Sequence, residues 1–277
     1  MKKLLALLLA LVLCASLFAA CGQKPAEDAG TGEPAEGEAT PETNLLGDDG
    51  VFVVGFDQDF PPYGYVGDDG EFTGFDIECA KALAERLGWE IKLQPIDWDA
   101  KDFELEAGTI DCIWNGFTMT GREDAYTWSD PYVDNTQVFV VKADSGIASL
   151  ADLSGKTVAV QKDSSALAAL NGEDNAELKA SFGELLEVAE YNTAFMDLEQ
   201  GAIDAIAMDI GVAQFQMEGR EDEYVILEES LYAEQYAIGF LLGNTALCDA
   251  VNAEFNAMKA DGTAAKLAEQ FGIELIG

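Results

Sequence analysis

The chain has 277 residues, of which 49% are hydrophobic and 10% aromatic, enough to bury one large core or two modest ones and too apolar for a disordered chain. A formal net charge of −37 excludes nucleic acid as a partner, since phosphate binding needs clustered lysine and arginine. Histidine is absent, which removes imidazole metal sites and every catalytic arrangement that relies on a histidine base.

Residues 1–20, MKKLLALLLALVLCASLFAA, place two lysines before an apolar run and end in small residues ahead of Cys21. This is the pattern of an export signal, and the run from Leu4 to Ala20 is at the short limit for spanning a bilayer. Phe18-Ala19-Ala20-Cys21 resembles the bacterial lipobox, so Cys21 is expected to be acylated and to become the new N-terminus. Residues 21–49 then read as the lipidated cysteine and a flexible acidic tether, rich in Pro, Gly, Ala, Glu and Thr with little to bury. An acyl chain on such a tether would hold a soluble body at the outer face of the cell membrane.

Val51 to Phe56, VFVVGF, has the continuous apolar character of a strand buried on both faces. A helix is predicted over 75–87, with Ile77, Ala80, Ala84 and Leu87 at helical spacing, Asp76 at its positive end and Gly88 as its stop. A strand over 90–93, a helix over 99–107 and a strand over 110–114 complete a βαβαβ run, the grammar of a parallel sheet. A second series follows: a strand over 157–161, a helix opening at 166–170, a helix over 193–200 and a strand over 203–207. The last segment predicts a strand over 236–242 and helices over 246–260 and 263–271.

The two series share nearly the same nine residues, LEAGTIDCI from Leu105 and LEQGAIDAI from Leu198. Each reads as a helix end, a glycine that permits the left-handed turn, and a strand entering a sheet. Equivalent joints in equivalent places imply two α/β lobes of one architecture. Ligands of open parallel sheets bind beyond the carboxyl ends of the strands. Those ends deliver Asp57 and the run from Asn115 to Thr118 in the first lobe, and the run from Gln161 to Ser165 and Asp209 in the second. Of the cysteines beyond residue 21, Cys79, Cys112 and Cys248 lack metal-ligand spacing and fall in apolar patterns that suit buried small hydrophobes; a disulfide among them is left open.

The segments VGFDQDFPPYGYVGDDGEFTGFDIE, PIDWDA, IDCIWNGFTMTGR, WSDPY and AVQKDSS together resemble the family 3 solute-binding proteins, the amino-acid-binding lipoproteins of ABC importers, from about Val51 to the end. The resemblance implies a two-lobed periplasmic-binding-protein-like fold, each lobe a mainly parallel sheet flanked by helices, joined by two hinge crossings near 135–138 and 234–238. The lobes would be residues 50–135 with 236–277, and residues 137–234. It implies a monomer that binds an amino acid outside the cytoplasm and hands it to a membrane permease, with no cofactor, no metal and no chemistry. Arg122 would grip the ligand α-carboxylate, a role that suits a planar guanidinium, although Thr118 to Arg122 is one residue shorter than the family's usual spacing. Asp209 would accept the α-ammonium, doubling as a helix cap, with Thr118, Asn115, Gly116 and the amides of Ser164 and Ser165 assisting. Asp57, Phe60, Trp98, Asn115 and Gln161 would form the side-chain pocket. Asp57 favours a cationic ligand such as arginine or lysine. Glutamine, cystine and a cyclohexadienyl-dehydratase-like enzyme on the same fold remain alternatives.

Overall fold

A computed structural model of the chain describes residues 45–47 and 50–276. The export segment 1–20, Cys21 and all of the tether but residues 45–47 lie outside the described residues. The chain runs β1 (Val51–Phe56), β2 (Asp59–Phe60), β3 (Gly64–Val66), β4 (Phe72–Thr73), α1 (Phe75–Leu87), β5 (Glu90–Pro95), α2 (Lys101–Glu106), β6 (Cys112–Ile113), β7 (Thr127–Trp128) and β8 (Val133–Lys142). It continues through β9 (Thr157–Gln161), α3 (Ser165–Asn171), α4 (Ala176–Ser181), β10 (Glu184–Val188), α5 (Tyr191–Gln200), β11 (Ala205–Asp209), α6 (Ile210–Met217), β12 (Tyr224–Ile226) and β13 (Tyr232–Tyr236). It ends with β14 (Gly239–Phe240), α7 (Thr245–Ala260) and α8 (Thr263–Phe271). Among the described residues no helix is long and apolar enough to cross a membrane.

Two sheets, each flanked by helices, form two lobes. The first has the order β5-β1-β6-β14-β7, in which β5, β1 and β6 are parallel and β14 is antiparallel to both its neighbours. The second has the order β10-β9-β11-β8-β12, with β10, β9 and β11 parallel; β8 runs against β11, and β12 and β13 pair with β8. Each sheet thus contains one parallel run of three strands, bordered on one side by a strand of opposite direction, β14 in the first and β8 in the second. An apolar cluster containing Phe52, Val54 and Trp114 from the first lobe and Val140, Ile206 and Met208 from the second runs continuously between them. Cys79, Cys112 and Cys248 are free and buried.

The repeated nonapeptide has a mechanical meaning. Gly108 (φ 70°) and Gly201 (φ 73°) both take the left-handed turn that ends a helix. Three residues later, the carboxylate of Asp111 accepts the Val53 amide at 2.6 Å, and that of Asp204 accepts the Thr157 amide at 2.9 Å. In return the amides of Asp111 and Asp204 donate to the carbonyls of Val53 and Thr157. The same aspartate therefore clamps the neighbouring parallel strand in both lobes.

Several boundaries differ from the sequence expectation for identifiable reasons. The helix expected over 99–107 opens with a 3-10 turn at Trp98–Ala100, and the strand expected over 110–114 pairs only at Cys112–Ile113. Ser165 is already helical, one residue before the expected start, because the Ser164 hydroxyl caps the helix by accepting the Leu167 amide. The strand expected over 236–242 is two strands. Tyr236 pairs with Val133 in the second sheet and Gly239 with Ile113 in the first, so the chain must bend between them to change sheets.

The start of α1 shows a constraint that only glycine meets. Gly74 has φ 124°, and a Cβ there would stand 2.3 Å from the Tyr63 carbonyl oxygen, while the amides of Phe75 and Asp76 bond the carbonyls of Pro62 and Tyr63. Gly74→Ala is expected to cost about 2 kcal/mol or more in urea unfolding, lowering Tm by roughly 5 °C. Gly70→Ala, at φ 83° with open space around it, should cost only about 1 kcal/mol. Equal losses in the two variants would show that contact with the Tyr63 carbonyl does not matter.

Candidate functional site

Nine residues line one small, narrow cavity between the lobes: Phe60, Trp98, Gly116, Thr118, Arg122, Gln161, Ser164, Ser165 and Asp209. They come from loops at the ends of β1, β6, β9 and β11 and from the turns around β2 and α2. All nine were singled out from the sequence. Among the described residues no group of three or more acids and cysteines is placed to hold a metal ion.

Arg122 reaches the cavity despite its short spacing from Thr118 because the loop between them is pinned to β13. Met119 donates its amide to the Gln235 carbonyl, and Gln235 donates its own to the Thr120 hydroxyl. The Arg122 amide closes a tight turn on Met119, and its guanidinium lies 5.4 Å from the Phe117 ring centre. Its two terminal nitrogens donate at 3.3 Å to the carbonyls of Thr118 in the first lobe and Asp163 in the second. Asp163 has φ 52°, an uncommon conformation outside glycine, and its carboxylate pairs with the buried Lys101 of α2.

Asp209 occupies the residue before α6, but its side chain does not cap that helix. Its Oδ1 instead accepts from Asn135 at 2.8 Å, Gln137 at 2.5 Å and the Tyr236 hydroxyl at 2.5 Å. Beside it lies Glu234, whose Oε1 accepts from Thr118 at 2.9 Å, Asn135 at 2.7 Å and Gln137 at 2.8 Å, and whose Oε2 accepts from Ser165. Burial, then the charge of Glu234, push Asp209 up to about 7. Thr118 therefore points its hydroxyl hydrogen at Glu234 and keeps its lone pairs for a donor in the cavity.

At the other end Gln161 donates to Asp57 Oδ2 at 2.7 Å, joining the lobes, while the Asp59 amide donates to Oδ1 at 2.8 Å. Burial raises Asp57 to about 6 against those two hydrogen bonds, with Asp59 and Glu190 adding repulsion. The Phe60 and Trp98 rings are parallel within 4°, their centres 6.5 Å apart. Gly116 (φ 56°) makes room for them, since a Cβ there would approach Phe60 to 2.9 Å. Beyond Asp57 a larger basin opens, lined by Asp57, Asp59, Asp97, Asp99, Glu104 and Glu190, with Lys162 as its one cationic wall residue. Asn115 does not line the cavity: its carbonyl oxygen accepts the Asp57 amide at 3.0 Å, and its Nδ2 is buried without a partner.

Glu234, Asn135, Gln137 and Tyr236 carry no site role in the sequence expectation, and Asp163 enters it only within the run from Gln161 to Ser165. A period-two signal was present: Glu234 lies two residues from both Tyr232 and Tyr236, and Asn135 and Gln137 lie between Val133 and Phe139, so each polar residue occupies the inward register of a strand. Asp76, expected only to favour the positive end of α1, is fully buried. It accepts the Gly116 amide at 2.5 Å and the Tyr132 hydroxyl at 2.8 Å, and burial raises it to about 7. It holds the cavity loop from behind.

Residues 52–274 match the family model of the bacterial extracellular solute-binding proteins, family 3. The L-cystine-binding protein TcyJ of Escherichia coli K12 is 31% identical over 84% of this chain and 86% of its own. The arginine-binding extracellular protein ArtP of Bacillus subtilis is 30% identical over 79% of this chain and 85% of its own. A histidine-bound substrate-binding protein of an ABC uptake transporter from Streptococcus pneumoniae superposes with a TM-score of 0.77 at 35% identity, covering 80% of this chain and 92% of that one.

Asp57, Asp76 and Asp209 are all raised on folding, so the folded chain binds more protons than the unfolded one between about pH 4 and pH 7. The stability they contribute is full below the unfolded value of 3.8 and is lost as pH rises through about 6 to 7. Tm of the ligand-free protein should fall between pH 5 and pH 8, and Asp76→Asn should flatten that slope by about a third. A Tm that climbs with pH, or a slope untouched by Asp76→Asn, would contradict the burial of these groups as carboxylic acids.

Proposed function

The chain belongs to the bacterial extracellular solute-binding proteins of family 3, and we propose that it captures a polar amino acid, by preference a cationic one, and delivers it to the permease of an ABC importer. The observation that carries this reading is one guanidinium, Arg122, and one carboxylate, Asp209, in the wall of the same small cavity. That pairing complements a zwitterion. Arg122 would bond the α-carboxylate through parallel N–H groups, and Asp209 with the lone pairs of Thr118 would take the α-ammonium. Asp57 adds a second carboxylate, held by neutral donors only, so a cation at the side-chain end would relieve its burial. Phe60 and Trp98 stand at a separation near twice the roughly 3.5 Å contact distance, which suits a flat guanidinium or an aliphatic stem between them.

Sheet membership supports two lobes, residues 50–135 with 236–277 and residues 137–234, closing about the paired crossings β8 and β13. An acylated Cys21 and the acidic tether would keep the monomer at the outer face of the membrane. A second reading, cystine, draws on the basin beyond Asp57, where Asp59, Asp97 and Glu190 would meet a second ammonium and Lys162 a second carboxylate. The relatives named above are binding proteins, in keeping with capture without chemistry; Gln161 leaves glutamine as a further candidate, and recovery of prephenate-like acids unchanged would set aside a dehydratase.

Calorimetry with arginine, lysine, cystine and glutamine tests the assignment. Arg122→Ala should weaken whichever binds by at least about thirtyfold with an unchanged circular dichroism spectrum. Asp57→Asn should weaken arginine and lysine selectively, by about tenfold or more. Binding of glutamine or cystine alone would defeat the cationic preference, and full affinity in Arg122→Ala would move the carboxylate anchor elsewhere.

A further inference from the structure

Glu234 is 4% exposed, lies on the strand that returns the chain to the first lobe, and bonds both lobes at once: Thr118 from the first and Ser165 from the second. Its relation to Asp209 is closer than proximity. Asn135 Nδ2 donates to both acids, at 2.8 Å to Asp209 and 2.7 Å to Glu234, and Gln137 Nε2 does the same at 2.5 and 2.8 Å. The four hydrogens of two amide groups are thereby divided between two carboxyl groups. Every donor to the pair is neutral, and among the described residues no ion pair involves either acid. Two buried carboxylates on shared neutral donors cannot both ionise cheaply.

The charged and titratable surroundings do not relieve them. Arg122 lines the same cavity but spends two of its nitrogens on the carbonyls of Thr118 and Asp163. Lys101 is paired with Asp163. Asp57 beyond Gln161 and Asp76 behind Tyr63 are acids themselves raised by burial and supply no positive charge, and burial keeps Tyr63, Tyr191 and Tyr236 neutral by pushing them well above the usual phenol range. Tyr232, on the same strand as Glu234, is also raised, chiefly by burial.

We propose that Glu234 is a positioning residue of the ligand site that acts through Asp209: the two carboxyl groups hold one proton between them, and an ammonium seated on Asp209 expels it to solvent. This rests on the zwitterion reading above and adds a measurable proton to it. The O–H bond of the shared proton breaks, its electron pair stays on the carboxylate that faces the ammonium, and the proton passes to buffer. While ionised, Glu234 also keeps the hydroxyl hydrogens of Thr118 and Ser165 turned toward itself, which leaves Thr118 an acceptor for the same ammonium. The sign follows: the ammonium prefers the fully ionised pair, so affinity rises with pH and levels off once the pair has lost its proton.

Two measurements on the full chain separate this from the ligand assignment. In a carboxyl carbon-13 NMR titration without amino acid, Asp209 should titrate with a midpoint near 7, and Glu234→Gln should lower that midpoint by at least about one pH unit, since the neighbouring charge is gone. In calorimetry with L-arginine, performed in pairs of buffers of different ionisation heat, binding at pH 6 should release close to one proton from the pair, on top of roughly half a proton from Asp57, which burial raises to about 6, and none at pH 8.5. Affinity should rise about tenfold per pH unit below the midpoint, and Glu234→Gln should flatten that rise while still binding arginine. A merely structural glutamate would leave the Asp209 midpoint and the proton count unchanged. Titration of Asp209 wholly below pH 5 in the parent, which needs no variant, overturns the proposal. So does arginine binding without proton release at pH 6. A coupled Asp209 midpoint with no arginine heat at any pH upholds the shared proton and rejects arginine as ligand.

Discussion

The register of β8 between β11 and β13 is the constraint on which the rest depends. Gln137 stands opposite Asp209 on one side, and Asn135 stands opposite Glu234 on the other. Directly opposed residues of antiparallel strands share a face, and residues two apart in a strand share it too. One face of three adjacent strands therefore presents Asp209, Gln137, Asn135 and Glu234 as a continuous polar ladder, with Tyr236 at its end. A slip of one residue would turn the ladder into the opposite face and bury Val138 and Met208 where the acids now stand. Strand pairing, not loop placement, fixes the anionic end of the cavity.

The same strands are the crossings between lobes, so the ligand site and the joint are one structure. Thr118 bridges to Tyr236 in backbone pairing, and Met119 hangs on Gln235, which ties the Arg122 loop to the strand that carries Glu234. Arg122 and Glu234 are thus referenced to one another through a few residues of β13. Contacts farther out join the lobes directly: Gln161 to Asp57, Asn192 to Asp59 at 2.7 Å, and the ring of Tyr65 against Phe215 at 5.4 Å.

Sequence alone made the parallel runs legible because they follow from short-range rules. Apolar strands, helical spacing and the Gly stop after a helix marked β1, α1, β9 and the two nonapeptide joints. The resemblance named eleven residues for the site; nine of them line one cavity, while Asp57 borders the adjoining basin and Asn115 lies behind it. Glu234, Asn135 and Gln137 were not found because their meaning lies in partners about 70 to 100 positions away; a polar residue in the inward register of a strand is a local oddity until its partner strand is known. Asn115 was misplaced for the opposite reason. Its position at the end of β6 suggested the cavity, yet the nearest unsatisfied donor is the Asp57 amide, and the side chain turns to that.

The two ends of the site differ in how freely they can vary. Around Asp209 and Arg122 the donors and acceptors are also members of a ladder, a crossing or a pinned loop, so replacing one disturbs strand pairing as well. At the other end Asp57 and Gln161 close their strands, Trp98 opens a 3-10 turn, and the basin they border is open to solvent. Side chains there can change volume or charge at the cost of one or two hydrogen bonds and without altering any register. Relatives at about one third identity are named for cystine and arginine, and another structure holds histidine. Around Asp57 a carboxylate raised by burial meets only neutral donors. A cation supplied from the cavity would be the one partner strong enough to hold that carboxylate ionised while it stays buried.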